Sequence, residues 1–138
     1  MHVVIDTNIA LDLLVFDDPG CAALVVALDA GAVRWIATAA MRGELKRVLG
    51  YPLIAARLAS RGRLAASVLE AFDRRVEMVE DAPRAPCLCD DVDDQVFVDL
   101  AVAHRARLFS KDRAVLDLRR RLAVHGVEVG ALRDWVGP

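Results

Sequence analysis

Four acidic residues, Asp6, Glu44, Asp94 and Asp112, stand where a strand should end or a helix should begin or bury its face. Two carboxylates about 4 Å apart repel by roughly 4 kcal/mol at an effective dielectric near 20, so a fold that gathers several of them needs a counter-charge. A divalent cation would supply it. Oxygen ligands at this density suit Mg²⁺ or Mn²⁺ and disfavour zinc, which calls for His or Cys. His2, His104 and His125 do not cluster around the acids, and His104 is expected on the inward face of its helix as a packed histidine. Sites with two metals about 3.5 to 4 Å apart activate a water and steady the leaving oxygen in phosphodiester cleavage, so these residues suggest a metal-dependent nuclease.

The elements that must position the acids can be read from the chain. Val3-Val4-Ile5 is a β-branched run ending at Asp6, the pattern of a buried strand, and Thr7 or Asn8 is the expected cap of a helix through Leu14. Helical spacing resumes from Cys21 to Ala30, a strand follows at Val33 to Ala37, and Thr38 caps a helix to Leu49. Gly50-Tyr51-Pro52 ends that helix, Leu53 to Ala59 and Arg63 to Arg75 are two more, and Val76 to Val79 is a strand. After a loop from Pro83 to Asp91, a helix opens at Asp93 or Asp94 and runs to about Arg105. Leu108-Phe109-Ser110 is a strand, Asp112 starts a helix, and Val127 to Val129 is a last strand before a short C-terminal helix. Strands alternating with helices imply a parallel α/β sheet. Ligands of such sheets bind beyond the carboxyl ends of the strands, which places Asp6 and Ser110 to Asp112 at one rim.

Helix phase brings in the other two acids. At 100° per residue, Met41, Leu45, Val48 and Leu49 share an apolar face with Glu44 beside it, while Arg42, Lys46 and Arg47 face away. A half-buried carboxylate costs free energy unless paired, and a salt bridge to an arginine would explain Glu44 equally well. On the later helix Phe97, Leu100 and Ala101 point inward with Asp94, whereas Asp99 points the opposite way and reads as solvated surface. Capping would account for Asp93, Asp94 or Asp112 singly. The combination at one sheet edge is what carries weight.

The 138 residues are enough for one domain, 1–138, with a single core and no staples. Hydrophobic residues make up 56% and aromatics only 5%, so the core should be aliphatic. The net charge of −2 excludes a globally cationic nucleic-acid binder and leaves only a local patch at His104, Arg105, Arg107, Lys111, Arg113 and Arg119 to Arg121, which also reads as a solvated face. Cys21, Cys87 and Cys89 form no CxxC pair and read as reduced thiols in a cytoplasmic protein, the latter two packing locally after Pro83 and Pro86. No apolar run reaches roughly 18 residues, so neither secretion nor membrane spanning is expected.

Val3-Val4-Ile5-Asp6-Thr7-Asn8, Glu44-Leu45 with Val48-Leu49, Asp91 to Ala101, and Leu108-Phe109-Ser110-Lys111-Asp112 with Leu116 together resemble the PIN-domain family, in particular the VapC-like toxin components of bacterial type II toxin–antitoxin pairs. The resemblance implies a three-layer α/β/α sandwich with a central parallel sheet of four to five strands. It implies an endoribonuclease that holds Mg²⁺ or Mn²⁺ and hydrolyses RNA with a metal-activated water. By motif position Asp6, Glu44, Asp94 and Asp112 would bind metal, with Asn8 and Ser110 holding waters or a carboxylate and Asp93 the alternative to Asp94. Lys111 and Arg113 would hold flanking phosphates of the RNA. An antitoxin partner and a homodimer are further implications. The segment from Pro83 to Asp93 is richer in acids than the motif requires, so a carboxylate there either joins the site or repels RNA.

A haloacid-dehalogenase-type phosphatase also begins with a strand and an aspartate, but wants an acid where Asn8 stands. A phosphorylation receiver domain would carry its lysine on a separate strand, whereas Ser110 and Lys111 are adjacent. A non-catalytic PIN-like scaffold, its acids kept for capping or a structural ion, is the alternative from a different class.

Overall fold

The computed structural model describes all 138 residues. Five strands form one parallel sheet: β1 (His2–Ile5), β2 (Arg34–Ala37), β3 (Val76–Met78), β4 (Arg107–Phe109) and β5 (Val129–Gly130), in the order β3-β2-β1-β4-β5. The helices are α1 (Thr7–Leu14), α2 (Ala22–Asp29), α3 (Ala39–Leu49), α4 (Pro52–Ser60), α5 (Ala65–Arg75), α6 (Gln95–His104), α7 (Arg113–Leu116) and α8 (Arg119–Ala123). Single 3₁₀ turns stand at Pro19–Cys21, Val92–Asp94 and Leu132–Asp134. None of these helices is long and apolar enough to cross a membrane.

The strand order explains where a site can form. From β1 the chain steps outward to β2 and β3, then returns across the sheet to β4 and steps the other way to β5. Right-handed crossovers place α1 to α5 on one face and α6 to α8 on the other, giving three layers. Val3, Val4 and Ile5 are all buried, as a strand covered on both faces requires. The reversal lies between β1 and β4, whose register pairs Val3 with Arg107 and Ile5 with Phe109. Diverging crossovers leave a crevice at the carboxyl ends of these two strands.

Of 43 buried residues 39 are apolar, so the four exceptions, Asp6, Thr38, Gln95 and Ser110, each need a partner. Thr38 caps α3, its hydroxyl accepting from the Met41 N–H at 3.4 Å, as expected from sequence. The cap of α1 is a correction: Asp6 itself fills that position, and neither Thr7 nor Asn8 does. The carboxylate reaches the Ile9 N–H at 3.0 Å, so the end of β1 and the start of α1 share one residue. The other two exceptions belong to the region beyond β1 and β4.

Candidate active site

Asp6 and Ser110 close adjacent strand ends. The Asp6 N–H donates to the Phe109 carbonyl at 3.1 Å, carrying the β1–β4 pairing one residue past the end of β1. Their side chains then meet: the Ser110 hydroxyl donates to Asp6 Oδ2 and accepts from the Asp112 N–H at 3.0 Å. Asp112 caps α7, Oδ1 accepting from the Ala114 N–H at 3.0 Å. A buried serine thus ties Asp6 to the backbone of Asp112. Burial raises the pKa of Asp6 above the usual carboxylate value, against the lowering effect of the Ser110 and Ile9 hydrogen bonds; the Asp112 charge raises it further and Lys111 opposes.

Asp94 completes the group from the other face of the sheet. It ends the 3₁₀ turn that leads into α6 and is half-buried. One carboxylate oxygen from each of Asp91, Asp94 and Asp112 lies within 4.8 Å of the other two. Desolvation, the adjoining Asp112 carboxyl, and the charges of Asp112, Asp91 and Asp6 push Asp94 up to about 7. Its Oδ2 is shut away from solvent with no protein donor. Such an orphaned oxygen among other carboxylates requires a proton or a cation. An all-oxygen donor set of this kind fits a hard divalent ion.

The structure brings together Asp6, Asp94 and Asp112 of the residues singled out above, and adds Asp91. The only sign of Asp91 in the sequence is the acid-rich run Asp90-Asp91-Val92-Asp93-Asp94. Asp93 is exposed and gives only its N–H, to Asp91 Oδ1 at 3.0 Å. Glu44 is half-buried on α3 and accepts from the Thr7 hydroxyl at 2.9 Å, with no arginine partner. Thr7 follows Asp6, so Glu44 flanks the group through α1 and is not one of the three clustered carboxylates. Asn8 is exposed, makes no side-chain hydrogen bond, and lines a cavity with Leu11, Val48 and Tyr51; it holds no carboxylate.

Two further expectations are corrected. Asp99 is not solvated surface: it is half-buried, and its Oδ1 accepts from the Ala85 N–H and from Gln95 Nε2, both at 2.8 Å. His104 is exposed at the end of α6, its ring edge-on to His2 with centroids 5.8 Å apart. Arg105 turns left-handed there, at φ 48°, and ends the helix beyond the sheet's cover. Within the basic run, Arg107 pairs with Glu128 at 2.5 Å, Lys111 with Asp12 at 2.7 Å and Arg113 with Asp117 at 3.3 Å. Arg119, Arg120 and Arg121 are exposed without ion pairs. Beside Lys111 a cavity of about 430 Å³ opens, lined by Ile9, Asp12, Leu116, Leu132 and Arg133 among others.

A five-stranded parallel sheet between helical layers, with carboxylates gathered at its switch point, defines a three-layer α/β domain with an acidic site. Residues 2–114 match the family model of the PIN domain, and the chain belongs to that family. PIN domains are in general nucleases. Among solved structures the chain is similar in fold to one in the crystal structure of VapBC2 from Rickettsia felis bound to a DNA fragment from their promoter, with a TM-score of 0.63. The match covers 95% of this chain and 98% of that one at 14% identity, a likeness of fold alone. No curated protein matches the chain.

Proposed function

We propose that the protein is a Mg²⁺- or Mn²⁺-dependent endoribonuclease, the toxin of a toxin–antitoxin pair, with Asp6, Glu44, Asp94 and Asp112 as its acids and Asp91 beside them. The observation that carries this reading is the cluster of Asp91, Asp94 and Asp112, whose oxygens lie within 4.8 Å of one another around a buried, unpartnered Asp94 Oδ2. Membership of the PIN family supports it. The metal, when bound, supplies a Lewis acid for the phosphate and lowers the pKa of a coordinated water.

The chain's own residues do the rest. Asp91, Asp94 and Asp112 would hold the ion, with Asp6 behind them, fixed by Ser110 and the Ile9 N–H. Glu44, steadied by Thr7, would reach solvent or substrate on the α3 side. A bound ion would compete with protonation of Asp94 and would exchange repulsion between carboxylates for attraction to a cation. An acidic cluster by itself repels RNA, and a bound ion would offset that charge. Lys111 and Arg113 stand immediately before and after Asp112, placed to contact flanking phosphates once RNA competes with Asp12 and Asp117 for them. A cognate antitoxin and a homodimer belong to the same reading, which is supported by the likeness to the VapBC2 chain.

Incubating the purified protein with matched pools of labelled RNA and single-stranded DNA, with Mg²⁺, Mn²⁺ or EDTA, tests the proposal. RNA cleavage that stops in EDTA and in Asp112→Asn is expected. Cleavage that persists in EDTA, or DNA cut in preference to RNA, would contradict it.

A further inference from the structure

Asp91 contributes to the acidic cluster, yet it comes from residues 79–91, a stretch without helix or strand. Hydrogen bonds from α6 hold that stretch in place. Gln95, one of the four buried polar residues, donates through Nε2 to the Cys87 carbonyl at 3.0 Å and to Asp99 Oδ1 at 2.8 Å. Its Oε1 accepts from the Cys89 N–H at 2.7 Å. Asp99 Oδ1 also takes the Ala85 N–H at 2.8 Å. Both ends of the Gln95 amide are therefore used, and turning it over would set donor against donor. The clamp closes on the main chain just before Asp91. Asp91 Oδ1 in turn takes the Asp93 N–H at 3.0 Å, and its Oδ2 has no protein partner.

We propose that Gln95 and Asp99 are positioning residues that set Asp91 for the cation, an inference that rests on the metal-site reading above. A carboxylate on a free loop loses conformational freedom at every binding event, whereas one clamped to a helix has lost it on folding. The helix that clamps the loop is the one Asp94 introduces, so Gln95 makes Asp91 and Asp94 parts of one rigid unit. Asp99 acts one step further out, holding both Gln95 and the loop.

The test is Mn²⁺ affinity measured by titration calorimetry on wild-type protein, Gln95→Met, Asp91→Asn and their double variant, with Asp94→Asn and Asp99→Asn alongside. Gln95→Met and Asp91→Asn should each weaken binding by about tenfold or more, the usual scale for groups that orient ligands. The double variant should bind no more weakly than Asp91→Asn, because Gln95 acts through Asp91. Asp99→Asn should bind as wild type, since an amide oxygen can still accept both N–H groups. The Cys89 amide should exchange hydrogen faster in Gln95→Met. If Gln95→Met does not fold, Asp99→Leu removes the same clamp from its other end and should also weaken binding. Wild-type affinity in Gln95→Met or Asp99→Leu, or a Gln95→Met loss that adds in full to that of Asp91→Asn, overturns the inference alone. Mn²⁺ binding unchanged by Asp94→Asn overturns the metal site and the inference with it.

Discussion

Asp94 sets the electrostatic behaviour of the site. Burial and the neighbouring Asp112, Asp91 and Asp6 raise it to about 7 in the folded chain, against about 3.9 in an unfolded one. A raised folded pKa favours the native state fully below the unfolded value, and this contribution is lost as pH rises through the folded value. Metal-free protein should therefore lose stability between about pH 4 and 7, and Asp94→Asn should lose less over that range; thermal melts of both in EDTA check this. The same proton competes with a cation. Mn²⁺ affinity should rise by up to about tenfold per pH unit below pH 7 and level off above it, as expected for one proton released on binding. Asp6→Asn removes a charge whose pKa burial already raises, while an amide oxygen can still cap α1 through the Ile9 N–H. Its metal-free melting temperature should match or exceed the wild type while cleavage is lost.

Helices and turns decide which acids meet. The Thr38 hydroxyl caps the helix that carries Glu44, so Thr38→Ala should cost about 1 kcal/mol in denaturant unfolding. Most of this level was legible in the sequence: the strand ending at Asp6, the Thr38 cap, the Gly50 and Pro52 stop, and Asp112 at the start of its helix all have local causes. The phase of α6 was legible only on the side that faces the sheet, where Phe97, Leu100 and Ala101 are buried as expected. Periodicity reports one face of a helix and is blind to a loop that folds back over another flank. Residues 79–91 do this, which buries Gln95 and occupies Asp99, a residue that reads as surface when no loop can be drawn. Asp91 was legible only as one of several acids between Pro83 and Asp93 that either join the site or repel RNA, since its place depends on that loop. The cap of α1 reads as Thr7 or Asn8 in the sequence because Asp6 serves two elements at once, ending β1 and capping α1.

Across the molecule, strand order does what no single residue can: it puts the ends of β1 and β4 side by side, although Asp6 and Ser110 are 104 residues apart in the chain. Alternating strands and helices made the parallel sheet legible, and the rule for ligands of such sheets made this rim legible. Which cations stay free of acids was not, because the partners of Lys111, Arg113 and Arg107 come from the tertiary fold or from local helix geometry. Leu108 lies fully buried in β4, two residues before Ser110, and Leu108→Ala should cost about 2 to 5 kcal/mol. Such a loss should weaken cleavage only as the fold melts, unlike changes to the acids. The claim that these strand ends hold a metal-dependent ribonuclease is tested most directly by cleavage of labelled RNA in Mn²⁺ by wild-type protein and Asp6→Asn side by side, well below the melting temperature of each. Cleavage by the wild type alone is the predicted result. Equal cleavage by both, or none by a wild type that is folded and loaded with Mn²⁺ across a broad pool of RNAs, would contradict it.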